Sequence, residues 1–443
     1  MNLKRLCVLG MGMERSGIRV WVFRRNLRWL DQPGLEALLA KGDAVLPLVH
    51  DAAPDEGFAW LGLSGRGPQA EAFWAGCVHA LAASASAPAL AFFRGGLIPA
   101  LDALHAHRPV LEVAWPLEAG FTEHQEAKAV EDWCRKAGAT YTCSDAATLI
   151  HPKDLSSAQM PRAKSFTPFR KQLEGGVGVR LPLEHVPRGT WADPPPHMRL
   201  PLHEFAHAAK ALLPHPLALW VAEPGEEAAC RHLRHYMNST APQHYQDTRN
   251  GLLQVNQATR LSPWLAWGCL SARQVHRALV EHEERFGATQ QTHWIRVELW
   301  WRDYFHHRLL IQPKTYFKHM HVSEMPFRNA LQEKRFRGWC MGTEGHDFCR
   351  AHQKELLHTG YQTNRGRQNT ASFLIHNLQL PAVWGALWFQ HLLVDFDVAS
   401  NYGNWAYLAG SGDDPRPNRQ FNLDRQQDLY DPQYTYTNRW ISA

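Results

Sequence analysis

The sequence predicts an N-terminal α/β domain on a five-stranded, parallel, doubly wound sheet, joined by a long linker to an all-α C-terminal domain. Three observations carry this. From Ile18 to about Thr142, short apolar runs of strand character alternate with helical segments; from Ile150 to Pro224 the rhythm is lost and proline is frequent; after Gly225 the pattern is helical almost throughout. Strands separated by helices argue a parallel sheet, because each crossover needs the length a helix provides. A chain of 443 residues has room for two or three domains, here 17–149, 150–224 as linker, and 225–443.

IRVWVF opens the sheet, and QPGLEALLAKG follows as a helix ended by glycine. AVLPLVH, ALAFFRG, VLEVAW and ATYTC are the other strands; GPQAEAFWAGCVHALAASA and LIPALDALHAH are helices between them. TEHQEAKAVEDWCRKAG reads as a helix with a Thr cap, an acidic first turn and a Gly stop. GMGMERSG precedes the first strand instead of following it, so its GxG is no dinucleotide fingerprint. The linker reads as laid over the surface, with one short basic turn in SFTPFRKQLEG. Beyond it, SARQVHRALVEHEERFG and QQTHWIRVELWWRDYFHHRLL are capped amphipathic helices.

Charge and cysteine usage narrow the function classes. A net charge of +5 suits a localised anion-binding patch and excludes a histone-like coat. Eight Cys without a C-x-x-C pair or metal spacing read as reduced thiols, and no metal site is expected. No run approaches the ~18 apolar residues of a membrane span, so a soluble, cytoplasmic chain is expected. The 18 Trp, 19 Phe and 26 His supply more ring surface than packing usually calls for, enough to line a cofactor pocket or stack bases.

Three stretches carry chemistry. In TNRGRQN, Asn364, Arg365 and Arg367 open a helix where backbone N–H groups are unpaired, which suits an anionic ligand. VDFDVASNYGNW adds Asp395, Asp397, Asn401 and Trp405; carboxylates in so apolar a segment need partners, and the arginines are candidates. A bare Arg–Asp staple between helices is the competing reading. In ATRLS before Pro263, Ser262 sits at a probable helix start, as a phosphate contact or a plain N-cap, and Tyr245 and Arg249 lie one turn apart upstream. In RVELWWRDYF, Glu298, Trp301, Arg302 and Phe305 share a helix face, as part of a site or as a buried Glu–Arg pair among rings.

NQATRLSPWLAWGCLSARQ, ELWWRDYF, TGYQTNRGRQNTASFL and LLVDFDVASNYGNWAYLAGSGDDPRPNRQFN, in that order and spacing, resemble the photolyase/cryptochrome family, most of all its DASH branch. RVWVFRRNLRWLDQPGLEAL, IHPKDL and TPFRKQLE extend the resemblance over nearly the whole chain. It implies an FAD-binding helical domain, with Tyr245, Ala258, Thr259, Arg260, Leu261, Ser262, Arg302, Asn364, Arg365, Arg367, Asp395, Asp397 and Asn401 as cofactor contacts. Arg367 would pair with Asp395 beside the isoalloxazine, Asp397 would sit at its pyrimidine edge, and Asn401 would face N5.

The implied activity is blue-light-driven repair of cyclobutane pyrimidine dimers, preferentially in single-stranded DNA, by a monomeric enzyme. Glu298, Trp301, Asn401 and Trp405 would be catalytic, and Arg249, Glu298, Trp301, Gln368 and Tyr407 would bind substrate. The alternative is a photoreceptor that binds FAD and nucleic acid without efficient repair; the absence of a long tail after the family core favours the enzyme.

Two departures and one match in poorly matching surroundings qualify the resemblance. Trp405 matches the flavin-proximal tryptophan of the family's electron chain, but the middle position falls on Ala382 and the outer one near Phe327 or Asn329, which leaves Trp384 and Trp388 as replacements. Arg350 and His352 stand where the family has an acidic residue and Asn, which puts local packing in doubt. Glu118 aligns with the family's folate-contacting carboxylate and implies a methenyltetrahydrofolate antenna; taken alone it is a solvated loop acid.

Overall fold

The computed structural model describes residues 17–52, 62–63, 65–85, 87–145, 147–161, 165–212, 214–317, 327, 329–410 and 420–442. GMGMERSG, except its last glycine, and most of the GSGDDPRPNRQFN stretch lie outside the described residues.

The N-terminal domain alternates β1 (Ile18–Phe23), α1 (Pro33–Leu39), β2 (Ala44–Asp51), α2 (Pro68–Ala83), β3 (Ala91–Arg94), α3 (Leu97–His107), β4 (Val110–Pro116), α4 (Phe121–Ala137) and β5 (Thr140–Ser144). All four strand pairs are parallel, in the order β3-β2-β1-β4-β5. β1 is central and covered on both faces, which is why Val20, Trp21, Val22 and Phe23 form an unbroken apolar run. Helix α4 begins at Phe121 with Gly120 at its cap, two residues before the expected Thr122, and ends in left-handed Gly138.

The linker is more structured than a surface strap. It holds α5 (Phe166–Glu174) and α6 (Leu202–Ala209), bridges β2 through Val45 and Trp191, and buries Phe166, Phe169 and Phe205. These rings need cover, so the segment packs between the two domains.

The helical domain comprises α7 (Glu226–Met237), α8 (Tyr245–Thr248), α9 (Ser262–Trp267), α10 (Ala272–Phe286) and α11 (Gln290–Ile311). It continues with α12 (Ala330–Cys340), α13 (Asp347–Thr359), α14 (Asn364–Ser372), α15 (Ala382–Leu392), α16 (Val398–Leu408), α17 (Leu423–Tyr430) and α18 (Thr435–Ile441). The caps follow the sequence: Ser271 and Gln274 form a capping box on α10, and Thr289 and Thr292 one on α11. No helix among the described residues is long and apolar enough to cross a membrane.

The two domains meet where the strand order reverses, at the C-terminal ends of β1 and β4, the place where open α/β sheets present a crevice. The chain leaving β1 is the seam: Leu27 N–H donates to Trp267 O at 3.0 Å, and Arg25 donates to Phe396 O at 2.6 Å while lying 4.8 Å over the Trp267 ring. Buried Arg273 forks onto Asp31 at 2.9 and 3.1 Å. Gly268, at φ +68°, lets the backbones touch, because a Cβ there would lie 2.1 Å from Arg25 O.

Candidate flavin and substrate site

A cavity of about 420 Å³ opens in the helical domain between α8, α9, α11, α14, α15 and α16, within the range of small-molecule sites. Most of the candidate residues face it. Tyr245 and Arg249 enter from α8 and its end; Thr259, Leu261 and Ser262 from the turn into α9; Glu298, Trp301 and Arg302 from α11. Asn364, Arg365, Arg367 and Gln368 enter from α14, and Asp395, Asp397, Asn401, Trp405 and Tyr407 from α16 and the turn before it.

The charges in this wall are arranged in pairs. Arg367 Nη2 donates to Asp395 Oδ2 at 2.7 Å and its Nε to Gln362 O at 2.8 Å. Asp397 caps α16 by accepting from Ser400 N–H at 2.7 Å, and accepts from His306 Nε2 at 2.9 Å, with Arg302 at 3.9 Å. Burial opposes charge on Asp397, but His306, Arg302 and the cap outweigh it and hold the carboxyl well below the ordinary range. His306 escaped the sequence reading, although it lies one turn beyond Arg302 on the same helix face.

At the mouth, Glu298 pairs with Arg249 and not with Arg302, whose fork goes to the carbonyls of Ala147 and Leu265. The buried Glu–Arg pair within one helix is thereby replaced by a bridge between α11 and the end of α8. Burial pushes the Glu298 carboxyl above its ordinary range, with Arg249 pulling the other way. Arg249 also lies 5.1 Å over Trp294, a cavity-lining ring that went unremarked in the sequence. Trp301 stacks on Phe166 at 3.7 Å and 16°, and meets Tyr407 at 5.9 Å and 75°. A linker ring therefore holds Trp301 from behind. Gly403 lets α16 close on α11, since a Cβ there would lie 2.3 Å from Phe305.

Other candidates are placed elsewhere. Ala258 and Arg260 stand outside the lining. Arg260, at φ +50°, donates from Nε to Val255 O at 3.0 Å and lies over Trp220 and Tyr361 at 5.4 and 5.6 Å, bracing the loop behind cavity-lining Tyr361. Ser262 is the first residue of α9 and not its cap, which is Leu261. Arg365 donates to Asn250 Oδ1 at 3.2 Å and lies 4.8 Å over Tyr430, at the edge of the wall.

The departure on α13 is absorbed locally. Arg350 forms an ion pair with Asp347 at 2.5 Å and bonds Gly342 O, while His352 is buried against the Tyr436 hydroxyl at 2.6 Å. Trp405 lines the cavity, whereas Trp384 packs on Phe327 and Phe336 and Trp388 lies near His391, both behind the wall.

Glu118 is not a solvated loop acid. Its side chain is 6% exposed and pairs with Arg24 at 2.9 Å. The crevice beside it, shared with Glu123, Arg302 and Asp397, measures about 20 Å³, room for about one water.

The main cavity fits a large ligand with both donors and acceptors. Asp395 Oδ1, Gln362 Nε2, Arg249 Nε, Arg365 Nε and Trp294 Nε1 are buried in its wall without a hydrogen-bond partner in the protein, and buried polar groups of this kind call for one.

Comparison with known proteins accounts for the ligand. Residues 294–443 match the model for the FAD binding domain of DNA photolyase, and residues 19–187 the model for DNA photolyase. A cryptochrome DASH of Natronomonas pharaonis is 34% identical over 442 residues, 95% of this chain and 89% of the relative. Those of Vibrio parahaemolyticus and Idiomarina loihiensis are 38% and 43% identical over shorter stretches, so that this chain spans 60% and 49% of their lengths. The crystal structure of a Synechocystis sp. PCC6803 cryptochrome superposes with a TM-score of 0.84 at 28% identity, covering 97% of this chain and 90% of that one. A bacterial class III photolyase from Agrobacterium tumefaciens follows at 0.78 and 26%, covering 98% and 88%. The chain is an FAD protein that belongs to the photolyase/cryptochrome family, among its cryptochrome DASH members.

Proposed function

We propose that this protein repairs cyclobutane pyrimidine dimers under blue light, preferentially in single-stranded DNA. Reduced FAD, when bound and excited, supplies one electron to the dimer and receives it back. The protein's own part is to hold flavin and dimer side by side. Asp397, with His306 and Arg302, takes the pyrimidine edge of the flavin; the Arg367–Asp395 pair and Asn401 hold its reactive centre; Asn364, Arg365, Tyr245 and the Thr259–Ser262 turn hold the remainder. A charged group near the ring is the lever a protein has on flavin electronics.

The observation that carries the reading is the cluster at the mouth. Trp301, backed by Phe166, and Tyr407 form an aromatic corner at 75° into which an extruded dimer fits, with about 1–3 kcal/mol of stacking per base. Glu298, whose carboxyl burial pushes above its ordinary range, stands within reach of a base, and Gln368 offers an amide. Arg249 at the rim is free to exchange its carboxylate partner for a phosphate. Photolyases as a class extrude the target nucleotide, at a cost of a few kcal/mol that is least for a single strand.

The test uses chemically reduced protein with dimer-containing oligonucleotides, single- and double-stranded, and measures light-dependent loss of dimers. Loss that is faster on the single strand supports the proposal. Tight binding without loss of dimers on either strand replaces repair with a photoreceptor role.

A further inference from the structure

Ala382 leaves no ring at the place where the family's electron chain continues, and Trp384 cannot stand in for it directly: side chains two apart on a helix diverge by about 200°. The rings that do meet Trp405 come from other positions. Phe389 lies 5.1 Å from it at 79°, and Trp339, on α12, lies 6.3 Å from it at 75°. Trp339 stacks on Phe336 at 5.8 Å and 21°, Phe336 meets Trp384 at 5.5 Å, and Trp384 meets half-buried Phe327 at 4.9 Å. Aromatic contact is thus continuous from the cavity wall to the edge of the protein beside Phe327.

We propose that Trp339 takes the place left by Ala382, so that photoreduction of the flavin runs through Trp405, Trp339 and Trp384. This rests on FAD occupying the cavity. Indole is far easier to oxidise than a phenyl ring, so Phe389 and Phe336 serve as contact and the tryptophans as stations. For each photon, Trp405 would give one electron to the excited flavin, Trp339 would refill Trp405, Trp384 would refill Trp339, and a thiol in solution would refill Trp384 across the half-buried Phe327 ring, because Trp384 is itself 1% exposed. Two passages move two electrons, supplied by two thiols that leave as one disulfide with release of their protons.

Trp339 is 1% exposed, and its Nε1–H is committed to Thr370 O at 3.1 Å. Trp384 is buried to the same extent, at 1% exposed, but of the two it is Trp384 that touches half-buried Phe327, so Trp339 is the relay and Trp384 the last station. Trp388 faces His391 and has no part in the path.

The experiment compares wild type, Trp339→Phe, Trp384→Phe and Trp388→Phe, each loaded with oxidised FAD, with dithiothreitol as reductant. Flavin content and melting temperature are measured first. Blue-light loss of oxidised-flavin absorbance and the microsecond tryptophan-radical signal are then recorded. Trp339→Phe, with flavin content matched, is expected to slow photoreduction at least tenfold and to abolish the long-lived radical; Trp384→Phe shortens the radical, and Trp388→Phe changes neither. Photoreduction in Trp339→Phe within twofold of wild type overturns the proposal, as does a tenfold loss in Trp388→Phe. Should Trp339→Phe lose flavin or melt early, Trp339→Tyr, which keeps the packing but has no base to accept its phenolic proton, is held to the same two outcomes. Failure of wild type to retain FAD would instead count against the occupancy of the cavity.

Discussion

Replacing Arg367 by methionine separates two roles that its pair with Asp395 plays at once. The Asp395 side chain is 1% exposed; Oδ2 accepts from Arg367 at 2.7 Å, and Oδ1 has no partner in the protein. Arg367→Met leaves a buried carboxylate unpaired, a loss of about 3–5 kcal/mol. Asp395→Asn leaves an arginine that is a quarter exposed and reaches water, and costs less, about 1–3 kcal/mol. The double variant removes both charges, and the flavin-free protein is expected to recover to within about 1 kcal/mol of wild type, as neutral replacements of buried pairs often do. FAD affinity should not recover. Two charge-assisted hydrogen bonds at about 1.5–3 kcal/mol each make a loss of about 3–6 kcal/mol, a rise in Kd of about 100-fold or more. Urea unfolding of the flavin-free proteins and fluorescence titration with FAD, run on all four as a double-mutant cycle, give both numbers. A double variant that is stable and still binds FAD within about threefold of wild type reduces the pair to a staple between helices and refutes its role in the cradle.

The sheet was legible because central parallel strands are buried on both faces and read as plain apolar runs, IRVWVF above all. The cradle was legible as residue types, since carboxylates and arginines at helix starts in apolar sequence demand partners. Which partner each one takes was not. Glu298 and Arg302 share a helix face, yet Glu298 turns to Arg249, 49 residues earlier in the chain, because register between helices is decided by packing that no single segment contains. Phe166 was hidden for the same reason: proline-rich surroundings suggested a strap, whereas three buried rings pull the segment into the seam. His306 did leave a signal, one turn past Arg302. Arg260 left none, because its left-handed backbone aims the side chain away from where a helix-start pattern puts it. Glu118 was misread because burial of an acid depends on a partner, here Arg24, that leaves the end of the neighbouring strand β1, 94 residues earlier in the chain.

Trp301→Ala should weaken binding of a dimer-containing oligonucleotide by about 1–3 kcal/mol per stacked base with the flavin spectrum intact; Phe166→Ala should do the same indirectly, at a cost in stability of about 3–5 kcal/mol. Glu298→Gln should flatten the pH dependence of that binding, which in wild type weakens as pH climbs through the raised pKa of Glu298 and its proton is lost. Glu355 gives a prediction about the fold itself. It is buried, accepts from the Tyr436 hydroxyl at 2.7 Å, and burial pushes its carboxyl up to about 7. In the unfolded chain it titrates near the ordinary value, about 4.3. Between those values only the folded state holds the proton, so its contribution is fully present below pH ~4.3 and is lost as pH rises towards 7. The gap bounds the loss at about 4 kcal/mol. Asp397 acts in the opposite sense: its carboxyl is depressed in the folded protein, and its contribution is lost on acidification. Glu123, also raised to about 7 by burial beside Glu118, loses stability in the same window as Glu355. Asp303, raised to about 7 by burial, falls in that window too, so the pH profile of wild type mixes several groups, and only the difference from Glu355→Gln isolates one. Urea midpoints measured from pH 4.5 to 8 should show wild type losing stability relative to Glu355→Gln as pH rises; parallel profiles would mean that Glu355 keeps no extra proton in the folded protein.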